Sequence, residues 1–229
     1  MSDNSLTGSK GALRFQIIPS GCISCNAVVL WNGDSGDAVI IDPTDDATAV
    51  IAFVTDHNLS ARQILLTHAH FDHAADAERA MVAFNCPAAL HADDLPLYLE
   101  IPLHAPNFGL KVPARTRPLS QLHDGQMLTA LANCEIQVLH VPGHSPGSVA
   151  FYVAEAGWAF VGDTLFNGAV GRTDLPGGSM KKLVASIQNR LYALDGATLA
   201  ICGHGPTTTI GQERRSNRFV REAPVEPLP

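Results

Sequence analysis

Short runs rich in Val, Ile and Leu recur along the 229-residue chain, separated by Gly, Pro, Asn and Asp. Such runs predict strands over Phe15–Ile18, Ala27–Trp31, Ala38–Ile41, Gln63–Thr67 and Ala88–His91. The second half repeats the pattern at Ile136–Val141, Val149–Val153, Trp158–Val161 and Leu199–Ile201. Between two of the early strands, Asn32-Gly33-Asp34-Ser35-Gly36 predicts a hairpin turn. Helical spacing of apolar residues predicts a helix over Asp45–Asn58, capped by Thr44, with Ala47, Val50, Ile51 and Val54 on one face. Further helices are expected over Ala74–Asn85, over Ser179–Leu194 with Ser179 as its cap, and over Gln212–Val220. Strands with helices inserted in both halves predict an α/β fold whose helices cover both outer faces of packed sheets.

No Ser/Gly-rich linker or block of like charge divides the chain, so one domain over 1–229 is expected, with flexible ends at 1–12 and 223–229. A hydrophobic fraction of 46% against 16% charged residues excludes a disordered chain. Acidic residues outnumber basic ones 22 to 15, and no basic surface run is present, which disfavours a nucleic-acid partner. No apolar stretch approaches the roughly 20 residues that span a bilayer, so no membrane role is expected. The polar start Met1–Lys10 lacks a signal-peptide pattern, which makes the cytoplasm the expected location.

The 10 histidines carry most of the chemistry. Directly after the strand Gln63–Thr67 come His68, His70, Asp72 and His73, four metal donors rooted on one strand end. His144 in Pro142-Gly143-His144-Ser145, Asp163 in Gly162-Asp163-Thr164 and His204 in Gly203-His204-Gly205 each follow an apolar strand beside glycine. Any one of these alone reads as a capping Asp or a surface His. Seven donors delivered from four strand ends exceed the four of a single zinc site and point to two adjacent ions. Asp163 suits the bridge between them, because a carboxylate has two oxygens to divide. Zinc is the first expectation for the two divalent ions, and iron or manganese accept the same donors. His57 is expected to end a helix, where a cationic ring suits the dipole; His91, His104 and His123 show no convergent partners, and His140 lies inside a strand as a packed or supporting residue. Cys22-Ile23-Ser24-Cys25 is a lone CxxC, read as two ordinary thiols.

Taken together, THAHFDH, PGHSPGS, GDTLF and GHGP resemble the metallo-β-lactamase superfamily over nearly the whole chain. The resemblance implies a four-layer αββα sandwich with the metals at one edge of the sheets. It assigns His68, His70 and His144 to one ion and Asp72, His73 and His204 to the other, with Asp163 bridging. Gly162–Asp174 and Gly203–Arg214 are similar to the compact bacterial glyoxalase II-like hydrolases. Like those short enzymes, this chain shows only about 25 residues after His204, so the helical region with which larger relatives grip glutathione is not expected.

The resemblance implies metal-assisted hydrolysis of a small acyl thioester such as S-D-lactoylglutathione, with attack by hydroxide held between the ions. Asp72 is the expected catalytic residue, holding its metal and orienting that hydroxide. Arg172 either binds a substrate carboxylate or pairs with Asp174 in its own loop. Two other readings use the same fold: a persulfide dioxygenase with a single iron, and a non-catalytic metal-binding module. A nuclease would need a basic groove, which the chain lacks.

Overall fold

The computed structural model describes residues 7–221. In the first half, strands β1 (Thr7–Lys10), β2 (Leu13–Ser20), β3 (Cys25–Asn32) and β4 (Asp37–Ile41) lead to helix α1 (Thr48–Asp56) and strand β5 (Ser60–Leu65). Helices α2 (Phe71–Ala74) and α3 (Ala77–Phe84), strand β6 (Ala88–His91), helix α4 (Leu95–His104) and strand β7 (Ser120–Leu122) follow. These seven strands form one sheet in chain order, antiparallel from β1 to β4 and parallel from β4 to β7.

The second half opens with β8 (Met127–Leu131), β9 (Cys134–His140), β10 (Val149–Val153) and β11 (Trp158–Gly162). The short strands β12 (Leu165–Phe166) and β13 (Ala169–Val170) form a separate ribbon. Helix α5 (Met180–Ser186), which continues as a π-helical turn through Leu191, then leads to β14 (Leu199–Cys202), β15 (Thr208–Thr209) and helix α6 (Ile210–Ser216). This sheet runs β15-β14-β11-β10-β9-β8.

Period-two alternation decides which layer each side chain joins. Phe15, Leu30, Val39 and Leu65 of the first sheet meet Val138, Phe151 and Phe160 of the second in the inter-sheet core. The intervening Val29, Ala38, Ile40 and Ile64 point outward beneath α1, α3 and α4. Likewise Leu139, Ala150, Ala159 and Val161 pack beneath α5 and α6. The result is the expected αββα sandwich. Phe15 locks the two sheets together, edge-on to Trp158 at 4.9 Å and to Phe160 at 6.0 Å. Its burial alone contributes about 2–3 kcal/mol.

Several local expectations change. Residues 7–10, expected in a flexible lead-in, form edge strand β1 paired to β2; residues 223–229 lie outside the described residues. Helix α1 begins at Thr48, and Thr44 does not cap it. Instead Thr44 sits at φ +67°, a costly setting for a β-branched residue, where its N–H donates to the His73 carbonyl and its carbonyl accepts from Asp76 N. Tertiary contacts to the α2 segment outweigh the local capping preference. Helix α4, unexpected from the sequence, forms despite Pro96 at its start and Pro102 within it. Ser179 does cap α5, accepting from Lys182 N. Asn32 shapes the early hairpin by accepting from Asp34 N and Ser35 N.

Candidate metal centre

Each predicted donor is rooted at one edge of the sandwich. His68 and His70 follow β5, while Asp72 and His73 ride on the single turn of α2 rather than in a loop. His144 follows β9, Asp163 follows β11 and His204 follows β14. The structure brings all seven together. His144 Nε2 lies 2.8 Å from His70 Nδ1 and 3.2 Å from His68 Nε2. Beside them, His204 Nε2 stands 3.0 Å from Asp72 Oδ2, and His73 Nε2 stands 3.4 Å from the same oxygen. Asp163 reaches both groups: Oδ1 lies 3.2 Å from His73 Nε2, and Oδ2 lies 3.6 Å from His144 and 3.7 Å from His204.

The outward-facing atoms of these rings fix which nitrogen each presents. His73 Nδ1 donates to Asp42 Oδ2 at 2.8 Å, and His144 Nδ1 donates to the Arg172 carbonyl at 2.8 Å. The Thr67 hydroxyl donates to Asp42 Oδ2, leaving its oxygen to accept from His68 Nδ1 at 3.0 Å. Each Nε2 is therefore turned inward with a lone pair to give, the arrangement that orients ligating histidines in metal proteins.

Two further observations fit a cation. His73 Nε2 and Asp163 Oδ1 are buried without a hydrogen-bond partner, which costs about 1–3 kcal/mol apiece unless something binds them. Gly203 keeps its backbone against both groups, since a Cβ there would lie 2.2 Å from Asp163 Oδ1 and 2.7 Å from His73 Cε1. The donor set, imidazole with carboxylate, suits zinc, iron or manganese.

The electrostatics divide the cluster. Burial pushes His68 well below the ordinary imidazole value and takes His70 down to about 3. Both rings are neutral, the form that ligates. Burial also works against charge on His73, but the carboxylates of Asp163, Asp72 and Asp42 hold it well above its ordinary value. In turn His73 outweighs burial at Asp163 and keeps that carboxyl far below its usual range.

Several supporting residues escaped the sequence reading. Asp42 follows β4 as Asp163 follows β11, but without the neighbouring glycine that marked the other donors. Asp94 is fully buried and accepts from Ala69 N, the Ser145 hydroxyl and Gly147 N at 2.6–2.9 Å. Asn26 donates to the carbonyls of Cys202 and Gly205, holding the His204 loop. Cys25, read as an ordinary thiol, lies 3.5 Å from His73 Nδ1, and burial pushes it up to about 12. It is therefore a neutral thiol beside the centre rather than a thiolate.

Residues near the rim behave differently. Arg172 makes a bidentate pair with Asp174 at 2.8 Å through both Nε and Nη2, on an exposed loop. Its backbone carbonyl, not its guanidinium, touches the cluster. His140 stays outside the centre, donating to the Pro146 carbonyl, as a packing role requires. His91, expected to lack neighbours, stacks on His140 with ring centroids 4.1 Å apart.

No helix among the described residues is long and apolar enough to cross a membrane. Comparison with known proteins places this edge in a family. Hydroxyacylglutathione hydrolase GloC of Haemophilus influenzae is 35% identical over 209 residues, covering 91% of this chain and 98% of that protein. Among solved structures, BLEG-1 B3 metallo-beta-lactamase superposes with a TM-score of 0.83 at 40% identity, covering 90% of this chain and 99% of that one. TTHA1623 in a di-iron-bound form gives 0.81 at 42% identity, covering 89% and 99%. The family model of the metallo-beta-lactamase superfamily matches residues 20–204, a stretch that carries all seven donors from His68 to His204. The chain belongs to the metallo-beta-lactamase superfamily, a fold that holds divalent metal ions.

Proposed function

We propose that this protein is a metal-dependent thioester hydrolase using two divalent ions, zinc in the first place. His68, His70 and His144 would hold one ion, and Asp72, His73 and His204 the other. The observation that carries the reading is the position of Asp163, whose two oxygens stand 3.2–3.7 Å from nitrogens of both groups. When bound, such a pair lowers the pKa of water towards 7 and polarises a carbonyl.

The chain's own residues then have defined tasks. Asp72, buried and bonded to His204, is placed to accept a hydrogen bond from the attacking water and so to aim its lone pair. The water oxygen bonds to the thioester carbonyl carbon and its proton is released to solvent, while the carbon–sulfur bond breaks with its electron pair on sulfur and the thiolate leaves with little need of an acid. Hydrolysis by this route uses no protein nucleophile; the G-x-S-x-G match at Gly143–Gly147 holds Ser145 fully buried, its hydroxyl bonded to Asp94, so it is not an exposed nucleophile elbow. Arg172 at the rim would take a carboxylate of the thiol carrier, exchanging Asp174 for it. The proposed partner is a small molecule in the cytoplasm, with neither nucleic acid nor membrane involved.

The Haemophilus relative named hydroxyacylglutathione hydrolase makes S-D-lactoylglutathione the first substrate to try. The test is metal analysis of the purified protein together with thiol release from that compound. Two equivalents of metal with metal-dependent thiol release support the reading. Metal-replete protein that releases no thiol, yet consumes oxygen with glutathione persulfide, overturns it in favour of a dioxygenase.

A further inference from the structure

A cavity of about 370 Å³ opens onto the metal centre, and away from the donors most of the surface it offers is apolar. Phe71 and Phe108 stack face to face at 4.1 Å to form one side, and Leu97 and Ile101 of α4 continue it. Ile23, from the turn between β2 and β3, stands opposite the helix segment as part of the same lining. Ile23 and Phe108 are each about half exposed, at 50% and 52%, so apolar surface waits in water at the mouth of the cavity. Two charged groups at the rim have exposed partners that a ligand could displace. Arg172 is held by Asp174, and His104 lies 3.4 Å from Glu100.

Glutathione at neutral pH carries two carboxylates and an ammonium group. Placing those against Phe71, Leu97 and Ile101 would strip their water without supplying partners, a penalty of several kcal/mol per charge. The other half of a thioester, the acyl group, is the part that can be apolar throughout. Resting on the thioester reading above, we propose that the cavity beside the metals receives a compact apolar acyl chain, linear aliphatic or aromatic, while the charged thiol carrier stays at the mouth near Arg172. Phe108, Phe71 and Ile23 are the residues that select it. The volume suits an acyl group of medium length better than the three-carbon hydroxylated acyl group of a lactoyl thioester.

The experiment holds the thiol constant and varies only the acyl group. Acetyl, butanoyl, hexanoyl and lactoyl thioesters of glutathione are compared by thiol release with the metal-loaded protein. Each methylene buried is expected to raise kcat/KM roughly threefold, so hexanoyl exceeds butanoyl by about tenfold and exceeds lactoyl by more. Phe108→Ser, at a half-exposed position that tolerates a polar side chain, is expected to flatten the series at unchanged metal content. A series that is flat or falls with chain length, with lactoyl the best substrate, overturns the inference and leaves the thioester reading standing. A Phe108→Ser series as steep as the wild type overturns the assignment of that wall. Absence of turnover with every thioester, in protein carrying its metals, overturns the thioester reading and this inference with it.

Discussion

Around His68 and His144 the supporting groups are a hydroxyl and a carbonyl, from Thr67 and Arg172. Around His73 they are carboxylates, with Asp42 on its outer nitrogen and Asp72 and Asp163 facing its inner one. In the three-histidine half burial keeps His68 and His70 neutral, and hydrogen bonds hold the rings in place. The other half concentrates negative charge around His73 in a buried space. One half therefore presents a preorganised socket and the other an electrostatic demand. Two ions of the same kind would be held for different physical reasons.

The widest test of that contrast is its shared member. Asp163→Asn keeps the shape but removes the charge that faces both halves. Thiol-release activity is expected to fall by at least a thousandfold and metal content to drop below one equivalent, measured after dialysis. Retention of two ions would show that the halves do not depend on a common carboxylate.

A pair of substitutions separates the halves at the next level. Asp42→Asn disturbs His73, and Asp94→Asn disturbs the Ala69 and Gly147 backbone that carries His70 and His144. Each is expected to weaken metal binding 10- to 100-fold, but for different ions. Each is also expected to cost about 1–3 kcal/mol in denaturant unfolding, because buried donors lose a charged acceptor. Titration with a chromophoric chelator resolves the two ions. Loss of the same ion in both variants would break the comparison.

The smallest effect is expected at Arg172. Its pair with Asp174 is open to solvent, so Arg172→Ala leaves the melting temperature in place. KM for S-D-lactoylglutathione is expected to rise two- to fivefold at constant kcat, the sign of a group that binds the carrier without touching the reaction. A fall in kcat instead would mean that Arg172 acts through His144, whose Nδ1 its carbonyl holds.

The donors were legible because the same local circumstance recurs: an apolar strand ends, glycine lets the backbone turn, and one ionisable side chain follows. That covers His144, Asp163 and His204, and the run His68–His73 needs only the strand before it. Asp42 meets the strand-end condition but is followed by proline, and its role appears only when Thr67 and His73 arrive from β5 and α2. Asp94 carries no local sign at all, since its partners come from residues 69, 145 and 147. Helix α4 was hidden by two prolines and Thr44 by a good capping preference; in both cases tertiary packing outweighed propensity. In the apolar cavity wall, Phe71, Leu97 and Phe108 are brought to one lining only by that helix.

Asp94 has a consequence for motion. It fastens a loop of the first sheet to a loop of the second, and Val149 N reinforces the join by donating to the Thr67 carbonyl. Within the core the sheets meet through apolar side chains, but at this edge they are stitched by hydrogen bonds, as Asn32 and the Ala132 carbonyl join them at the far end of β3. Opening the seam and releasing the ions thus become one event. Occupancy of the centre is then readable far from it, as slower amide hydrogen exchange in β10 and β5, and an emptied protein would breathe first along this line.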